Sequence, residues 1–224
     1  MTGTALWLSI RLAAVTTTIL LATGAIAAFS LARWRSRFKP LVEATIALPL
    51  VMPPTVLGFY LLSAMGLHGP LGRIWNQAFH QRLAFTFSGL VLASCLYSLP
   101  FAVQPMQAAF ESVNPRLLEA SATLGASPWR TLRRVLLPAT WGGIVAAGVL
   151  TFAHTLGEFG VVLMVGGDIP GQTRTVSIAV YDMVEALNYA RAGKLSLALL
   201  ALSYRVLAVF YAASRRWMSA WPKD

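Results

Sequence analysis

The chain has 224 residues, of which 57% are hydrophobic and only 12% are charged, and its mean hydropathy is +0.64. A soluble domain carries roughly a quarter charged residues, so this composition argues against a protein that folds in water. The net charge of +10 would suit a nucleic-acid-binding protein, but the basic residues cluster between long apolar runs, as in membrane-protein loops. We therefore expect a protein of the lipid bilayer that does not bind nucleic acid.

Five apolar stretches are long enough to cross the hydrocarbon core as helices, which takes about 20 residues. In chain order they are Leu6–Ala32, Leu41–Met65, Leu83–Phe110, Trp141–Val165 and Ala190–Ala213. The first has no basic segment before it and is too long for the apolar part of a signal peptide, so we expect a retained membrane helix. The pattern predicts an all-α membrane protein with about five transmembrane helices in one domain, 1–224.

Basic residues orient these predicted helices, because cytoplasmic loops are enriched in lysine and arginine. One side would receive eleven of them: Arg33, Arg35, Arg37, Lys39, Arg116, Arg130, Arg133, Arg134, Arg215, Arg216 and Lys223. The other side would receive five: Arg73, Arg82, Arg174, Arg191 and Lys194. We expect the larger group to be cytoplasmic, which places the N-terminus outside and the C-terminus inside a cell (inner or plasma) membrane.

Prolines and glycines interrupt several of the five stretches. They are Pro49, Pro53 and Pro54 in the second, Pro100 and Pro105 in the third, and Gly157 and Gly160 in the fourth. Interrupted helices are tolerated at membrane depth where the freed backbone groups meet protein or a water-filled cavity. The residues therefore predict either packing kinks or the lining of a transport pathway, and the sequence does not choose between them.

The segment between the third and fourth stretches, about residues 109–140, is too polar to span and is called the loop segment below. Asn114 and Pro115 predict the start of a short helix, and Gly125 predicts its left-handed stop. Ser127 and Pro128 predict a second helix that ends at Pro138. That helix would have an apolar face and a basic face; the apolar face comprises Trp129, Leu132, Val135 and Leu136, and the basic face Arg130, Arg133 and Arg134. Such a segment suits either a docking surface for a cytoplasmic partner or a loop lying on anionic lipid.

The loop segment resembles the cytoplasmic signature of ABC importer permeases: Glu-Ala-Ala, three residues, Gly, nine residues, Ile, one residue, Leu-Pro. The corresponding positions here are Glu119, Ala120, Ser121, Gly125, Val135, Leu137 and Pro138. Both spacings match, and the replacements at Ser121 and Val135 keep similar size. The resemblance implies the ABC importer permease (MetI-like) fold. It also implies that Glu119, Ala120, Ser121, Gly125, Leu137 and Pro138 couple to a cleft on a separate ATPase subunit.

The chain has no Walker motif, so we expect it to bind no cofactor and ATP to bind the partner subunit. Four further segments resemble molybdate permeases: Leu50–Gly58, Gly69–Gly72, Leu156–Gly160 and Asp168–Thr175. Sulfate and tungstate permeases share parts of this pattern. The resemblance implies import of molybdate or a similar tetrahedral oxyanion, with a second copy of the chain and a periplasmic or extracytoplasmic oxyanion-binding protein as partners.

Four residues of the fourth stretch are candidates for lining the pathway: Thr151, His154, Thr155 and Glu158. The alternative is that they form hydrogen bonds between helices. Charges inside apolar stretches usually pair or face the bundle interior. Depth suggests the pairs Arg11–Glu158 and Arg205–Glu43, although Arg11 and Glu43 would also reach the interface by snorkelling.

The remaining classes of function find little support in the sequence. The three histidines lack the spacing of metal ligands, so we expect no metal site. A self-sufficient secondary transporter would show coupling carboxylates near the midplane or an internal repeat, and neither is clear. An intramembrane enzyme would need a convergent catalytic set, and no acid, base or nucleophile accompanies Glu119.

Overall fold

The computed structural model describes residues 2–220, with side chains over residues 3–212, and every regular element in that range is helical. The elements are α1 (Thr2–Arg33), α2 (Lys39–Val51), α3 (Pro54–Met65), α4 (Pro70–Phe79), α5 (Phe87–Glu111), α6 (Pro115–Thr123), α7 (Pro128–Thr131), a π-helical turn (Leu132–Leu136), α8 (Leu137–Gly157), α9 (Gly160–Gly166), α10 (Val176–Glu185) and α11 (Tyr189–Ala220). Of the residues used for orientation, Lys223 lies outside the described residues, as do the side chains of Arg215 and Arg216.

Four continuous helical segments are long and apolar enough to cross a membrane: α1, α5, the run from α7 to α8, and α11. The pair α2 and α3 passes the same test together but is bent by 110° at its break. The structure therefore contains four spans, or five if the bent pair is one span. The predicted all-α fold is confirmed, and each predicted stretch overlaps one of these segments, the fourth, Trp141–Val165, only over Trp141–Gly157.

The centre of the bundle consists of α1, α5 and α8. Gly143 of α8 lies so close to α5 that an added Cβ would stand 2.3 Å from the Cβ of Ala109, so these helices are packed nearly backbone to backbone. Pro100 and Pro105 lie inside α5 without ending it. The buried core of this region includes Leu20, Ala28, Val103, Met106 and Ala147.

The bent pair α2–α3 crosses the bundle from end to end, as its contacts with α5 show. Lys39, at the start of α2, forms an ion pair of 2.8 Å with Glu111 at the last residue of α5. Leu61 and Met65, near the end of α3, are buried with Leu83 and Ala93 at the other end of α5. The chain thus advances along the whole of α5 despite the bend, as expected of a broken span.

The fourth predicted stretch is also broken, between α8 and α9. Glu158 follows α8 in an extended conformation, with φ −64° and ψ 134°, and α9 begins at Gly160. At the far end of α9 the backbone amide of Phe85 donates to the carbonyl of Val165 at 2.9 Å. Two helices that the sequence did not predict, α4 and α10, lie at this end, which is opposite to the loop segment.

The prediction that Pro138 ends the second loop helix is wrong. The helix instead continues from Pro128 to Gly157 over 30 residues. A proline inside a helix lacks one backbone donor and its ring clashes with the carbonyl four residues earlier. The π-helical turn at Leu132–Leu136 lies directly before Pro138 and widens the helix there, which accommodates the ring. As a result α7 and α8 form one continuous rod.

Candidate functional site

The loop segment is built mainly from local hydrogen bonds. The side chain of Asn114 accepts from the amide of Arg116 at 3.0 Å and caps α6. Ser127 accepts from the amide of Arg130 at 3.4 Å and caps α7. Both caps are the ones the sequence predicts, because short polar side chains satisfy the free amides of a helix start. The starts of both helices are therefore set by their own residues.

Gly125 ends α6 in the left-handed region, with φ +71°, and an added Cβ there would meet no atom within 4 Å. The amide of Ala126 then donates to the carbonyl of Ser121 at 3.1 Å, which closes the turn. Ser121 and Thr131 share a hydrogen bond of 2.8 Å between their hydroxyls and so join α6 to α7. The two short helices thus form a unit hinged at a glycine and held by one side-chain bond.

The outer surface of this unit exposes large apolar side chains. Leu117 is 52%, Leu124 86% and Trp129 64% exposed, and Arg133 lies over the Trp129 ring at 5.6 Å. Of the predicted apolar face, only Leu136 is buried, so that face is split between the core and the surface. Exposed apolar residues rimmed by arginines mark an interaction surface more than a solvated loop.

The structure separates the six predicted coupling residues into three groups. Glu119, Ala120 and Gly125 are exposed on the outer surface. Ser121 is 9% exposed and points inward to Thr131. Leu137 and Pro138 are half-buried at the start of α8, so this part of the motif belongs to the rod and not to the surface.

The second region of interest is where the breaks in α2–α3 and α8–α9 meet; we call it the break region (residues 50–60 and 156–166). A Cβ added to Gly160 would lie 2.7 Å from the Cβ of Pro54, and one added to Gly58 would lie 2.8 Å from the Cβ of Met164. Glycine at both positions therefore allows α3 and α9 to pack closely. Two segments that resemble molybdate permeases, about 100 residues apart in sequence, are thus in contact.

Buried hydroxyl and carboxyl groups connect α5 to α8 next to the break region. Ser94 donates to Glu158 Oε2 at 2.8 Å, and Ser98 lies 2.9 Å from His154 Nδ1 and 3.0 Å from the Thr155 hydroxyl. The His154 ring also stacks on Phe101 at 4.1 Å between ring centroids. These contacts make His154, Thr155 and Glu158 hydrogen-bonding partners of α5.

Three of the four candidate pathway residues are buried inside the single chain: Thr151 is 0%, Thr155 2% and Glu158 4% exposed. His154 is half-buried. The hydroxyl of Thr151 and Oε1 of Glu158 have no hydrogen-bond partner among the described residues. The surface of the break region is instead formed by α2 and α3, where Val51 is 83% exposed.

The two ion pairs predicted from depth are wrong, because each acid has another partner. Glu158 bonds to Ser94, and Glu43 accepts from Gln107 at 2.5 Å and lies 3.6 Å from Lys39. Arg11 is exposed, and its guanidinium lies over the Phe87 ring at 4.4 Å. The depth of a residue in the membrane does not show toward which neighbouring helix its side chain points, and for this reason the pairing could not be predicted.

Residues 167–175 fold into a compact turn at the end of the bundle opposite to the loop segment. Arg174 forms a two-pronged ion pair with Asp168, with 2.6 Å between Nη2 and Oδ2, and also lies 3.5 Å from Asp182. Partial burial raises the pKa of Asp168, but the Arg174 hydrogen bonds outweigh it and the net pKa is lowered. Burial and the neighbouring Asp168 raise the pKa of Asp182. Among the described residues no group of three metal-ligating side chains is present.

Sequence reasoning missed Ser94 and Ser98, which hold the polar residues of α8. The signal was available, since both are hydroxyl residues four positions apart and lie on one face of a predicted helix. It was ambiguous because serine is common in membrane helices and nothing in the sequence shows which helix they face.

The comparisons with known proteins point to one family. Residues 20–221 match the family model described as binding-protein-dependent transport system inner membrane component. The chain is 51% identical to the molybdenum transport system permease protein ModB of Azotobacter vinelandii over 211 residues, covering 94% of this chain and 93% of that protein. It is 32% identical to the sulfate transport system permease protein CysT of Escherichia coli K12, covering 82% of this chain and 66% of that protein.

Solved structures support the same fold. A bacterial ABC transporter involved in the import of the acidic polysaccharide alginate matches with a TM-score of 0.76 at 16% identity, over 95% of this chain and 78% of that chain. The inward-facing MetNI methionine ABC transporter matches with a TM-score of 0.71 at 18% identity, over 95% of this chain and 94% of that chain. At these identities the likeness concerns the fold alone.

Proposed function

The chain belongs to the family of binding-protein-dependent transport system inner membrane components, and we propose that it is the permease subunit through which an ATP-driven importer carries molybdate into the cell. The observation that carries this proposal is the 51% identity, along nearly the whole of both chains, to a molybdenum transport permease. The exposed loop segment on a continuous rod supplies the structural part of the argument.

The loop segment docks on the ATPase subunit in this proposal. Its exposed leucines and tryptophan, with the arginines around them, form a surface that a cleft of matching shape would bury. Because α7, the π-helical turn and α8 form one rod, a displacement of the loop segment moves the far end of α8 at Gly157. Motion driven by ATP on the partner would therefore reach the break region. The chain itself is a non-catalytic subunit and binds no ATP.

Two copies of the chain form the pathway in this proposal. A single chain exposes the α2–α3 face of the break region, where Val51 is 83%, Phe59 55% and Tyr60 61% exposed. Large apolar side chains next to a helix break suit contact with a second copy, and broken helices commonly form sites near the midplane. A separate oxyanion-binding protein outside the membrane would deliver the anion, so the pathway itself need not bind it tightly.

The proposed orientation places the loop segment in the cytoplasm and the N-terminus outside. The two groups of basic residues predicted to face opposite sides support it. Lys39 lies with Glu111 at the loop end, whereas Arg174 and Arg191 lie at the other end beside α10. The described members of the larger basic group, from Arg33 to Arg134, support a cytoplasmic loop segment under the positive-inside rule.

The experiment that tests the function is uptake by the reconstituted complex of this chain, its ATPase subunit and its binding protein in proteoliposomes. We expect ATP-dependent molybdate uptake that excess sulfate does not abolish. Crosslinking should place the ATPase at residues 115–138. A complex that imports no oxyanion, or an ATPase that crosslinks elsewhere, would contradict the proposal.

Sulfate is the second candidate cargo, because the chain also resembles a sulfate permease at 32% identity. Molybdate, tungstate and sulfate are all tetrahedral dianions, so the fold does not separate them. Competition among the three in the same uptake assay distinguishes the candidates, and stronger competition by sulfate than by tungstate would favour the second.

A further inference from the structure

The carboxylate of Glu158 occupies the break between α8 and α9 and has no role in the function proposed so far. It is 4% exposed, Oε2 accepts from Ser94 at 2.8 Å, and Oε1 has no hydrogen-bond partner among the described residues. A buried acid at membrane depth costs free energy, and such residues usually have a specific function. Because Glu158 lies at the break, its bond to Ser94 joins the junction of α8 and α9 to α5.

Apart from this bond, the break is held by apolar packing of Phe159, whose ring lies 5.1 Å from that of Tyr181 between centroids. Gly157 has no atom within 4 Å of the position its Cβ would take, and Gly160 begins α9. Within the described part of the chain, Ser94–Glu158 is the side-chain hydrogen bond that ties residues 157–159 to another helix. Without it, a displacement of α8 would be absorbed by rotation at the flanking glycines.

We propose that Glu158 is a positioning residue, and that its bond to Ser94 holds the α8–α9 break against α5 so that movement of the α8 rod is passed on to α9. Because α9 packs on α3 at Gly58 and Gly160, the movement then reaches the exposed face of the break region. This inference rests on the proposed function, since it assumes that the loop segment drives α8.

Ser98 provides a matched control one helical turn from Ser94. Both hydroxyls are 0% exposed, on the same helix. Ser98, however, bonds to His154 and Thr155 within the body of α8, not at the break. Removing either hydroxyl takes away buried hydrogen bonds of α5, one at Ser94 and two at Ser98, so a loss found only in Ser94→Ala reports on the break itself.

The test uses the complete reconstituted complex and measures the number of anions imported per ATP hydrolysed, together with the amount of assembled complex. We expect Ser94→Ala and Glu158→Ala each to lower this ratio severalfold while ATP hydrolysis persists. Glu158→Gln should restore the ratio, because its amide oxygen still accepts from Ser94. The double variant Ser94→Ala/Glu158→Ala should be no worse than either single variant, and Ser98→Ala should keep the wild-type ratio.

A merely structural role would lower assembly, uptake and hydrolysis together and leave the ratio unchanged, which would overturn the proposal. A wild-type ratio in Ser94→Ala, or an equal loss in Ser98→Ala, would overturn it as well. The identity of the transported anion is tested separately. If the wild-type complex imports no molybdate, the number of anions imported per ATP is measured with sulfate or tungstate, whichever the complex imports.

Discussion

The loop segment and the break region are stabilised by different kinds of contact. In the loop segment the side-chain bonds join residues that are close in sequence, such as Ser121 and Thr131, ten positions apart. In the break region and its polar neighbours they join distant residues, such as Ser94 and Glu158, 64 positions apart. Because its bonds are local, the loop segment keeps its own conformation and can be displaced as a rigid unit. In the break region the bonds join separate helices, so they determine which helices move when α8 is displaced. Substitutions in the loop segment should therefore leave the bundle stable, whereas added bulk at the close contacts of the break region should destabilise it.

The largest effect is expected at the break region, from Gly160→Ala. The added Cβ would lie 2.7 Å from the ring of Pro54, so α3 and α9 must separate. Overpacking of this kind costs about 1–3 kcal/mol. Thermal unfolding of the purified chain in detergent would measure the loss.

Gly157→Ala is the matched control, since it changes the other glycine of the same break. Its Cβ would meet nothing within 4 Å, and alanine favours the end of α8 that glycine weakens, so stability should be unchanged or slightly higher. If both variants lost the same stability, the close packing of α3 on α9 would not be the reason why glycine is needed at position 160.

The next effect is expected in the loop segment, from Gly125→Asp. The φ of +71° disfavours a side chain, and the carboxylate would obstruct a turn pressed against a partner. We expect folding to stay nearly intact while molybdate uptake falls about tenfold, equivalent to about 1.4 kcal/mol of lost coupling. Uptake in proteoliposomes and ATP hydrolysis would be measured side by side.

Gly125→Asn separates charge from shape, because asparagine is nearly isosteric with aspartate and tolerates the left-handed region best. It should retain more uptake than Gly125→Asp. Wild-type uptake in Gly125→Asp itself would refute the assigned role of this turn.

A smaller effect is expected from Ser121→Ala, which removes the bond between α6 and α7. The loss should be about 1 kcal/mol, the usual net value of one hydrogen bond. Proteolysis within residues 115–138 would detect it as earlier cleavage. Thr123→Ala is the control, because the hydroxyl of exposed Thr123 bonds only to its own helix, at the carbonyl of Glu119. Equal sensitivity of the two variants would mean that Ser121 does not join the helices.

The smallest effect is expected far from both regions, from Asp168→Asn. The folded-state pKa of Asp168 is lowered, so its ion pair with Arg174 stabilises the fold above the ordinary carboxyl pKa near 3.8 and is lost as the pH falls through the lower, folded value. The variant should therefore be less stable than the wild type at pH 7 and approach it as the pH falls below 3.8. Partial exposure keeps the difference well below that of Gly160→Ala. A difference that did not shrink on acidification would exclude the ion pair as its cause.

The loop segment shows how far sequence reasoning reaches. Asn114, Gly125 and Ser127 act within a few residues of their own positions, and the structure places each where its capping chemistry predicts. Pro138 is the exception in this region, because whether a proline ends a helix depends on how the preceding turn is wound. Neither the capping residues nor the hydropathy of this segment predicts the π-helical turn that accommodates Pro138.

The sequence by itself determined the apolar spans, the capped loop and the family resemblance, since hydropathy and capping are properties of neighbouring residues. Only the tertiary structure decided which prolines break a helix: α5 continues through Pro100 and Pro105, while α2–α3 bends by 110° at Pro53. It also decided that Glu158 faces Ser94 and not Arg11. The physical reason is that rotation about a helix axis and the choice of neighbouring helix follow from packing across the bundle, at glycines such as Gly58, Gly143 and Gly160, and not from any local pattern.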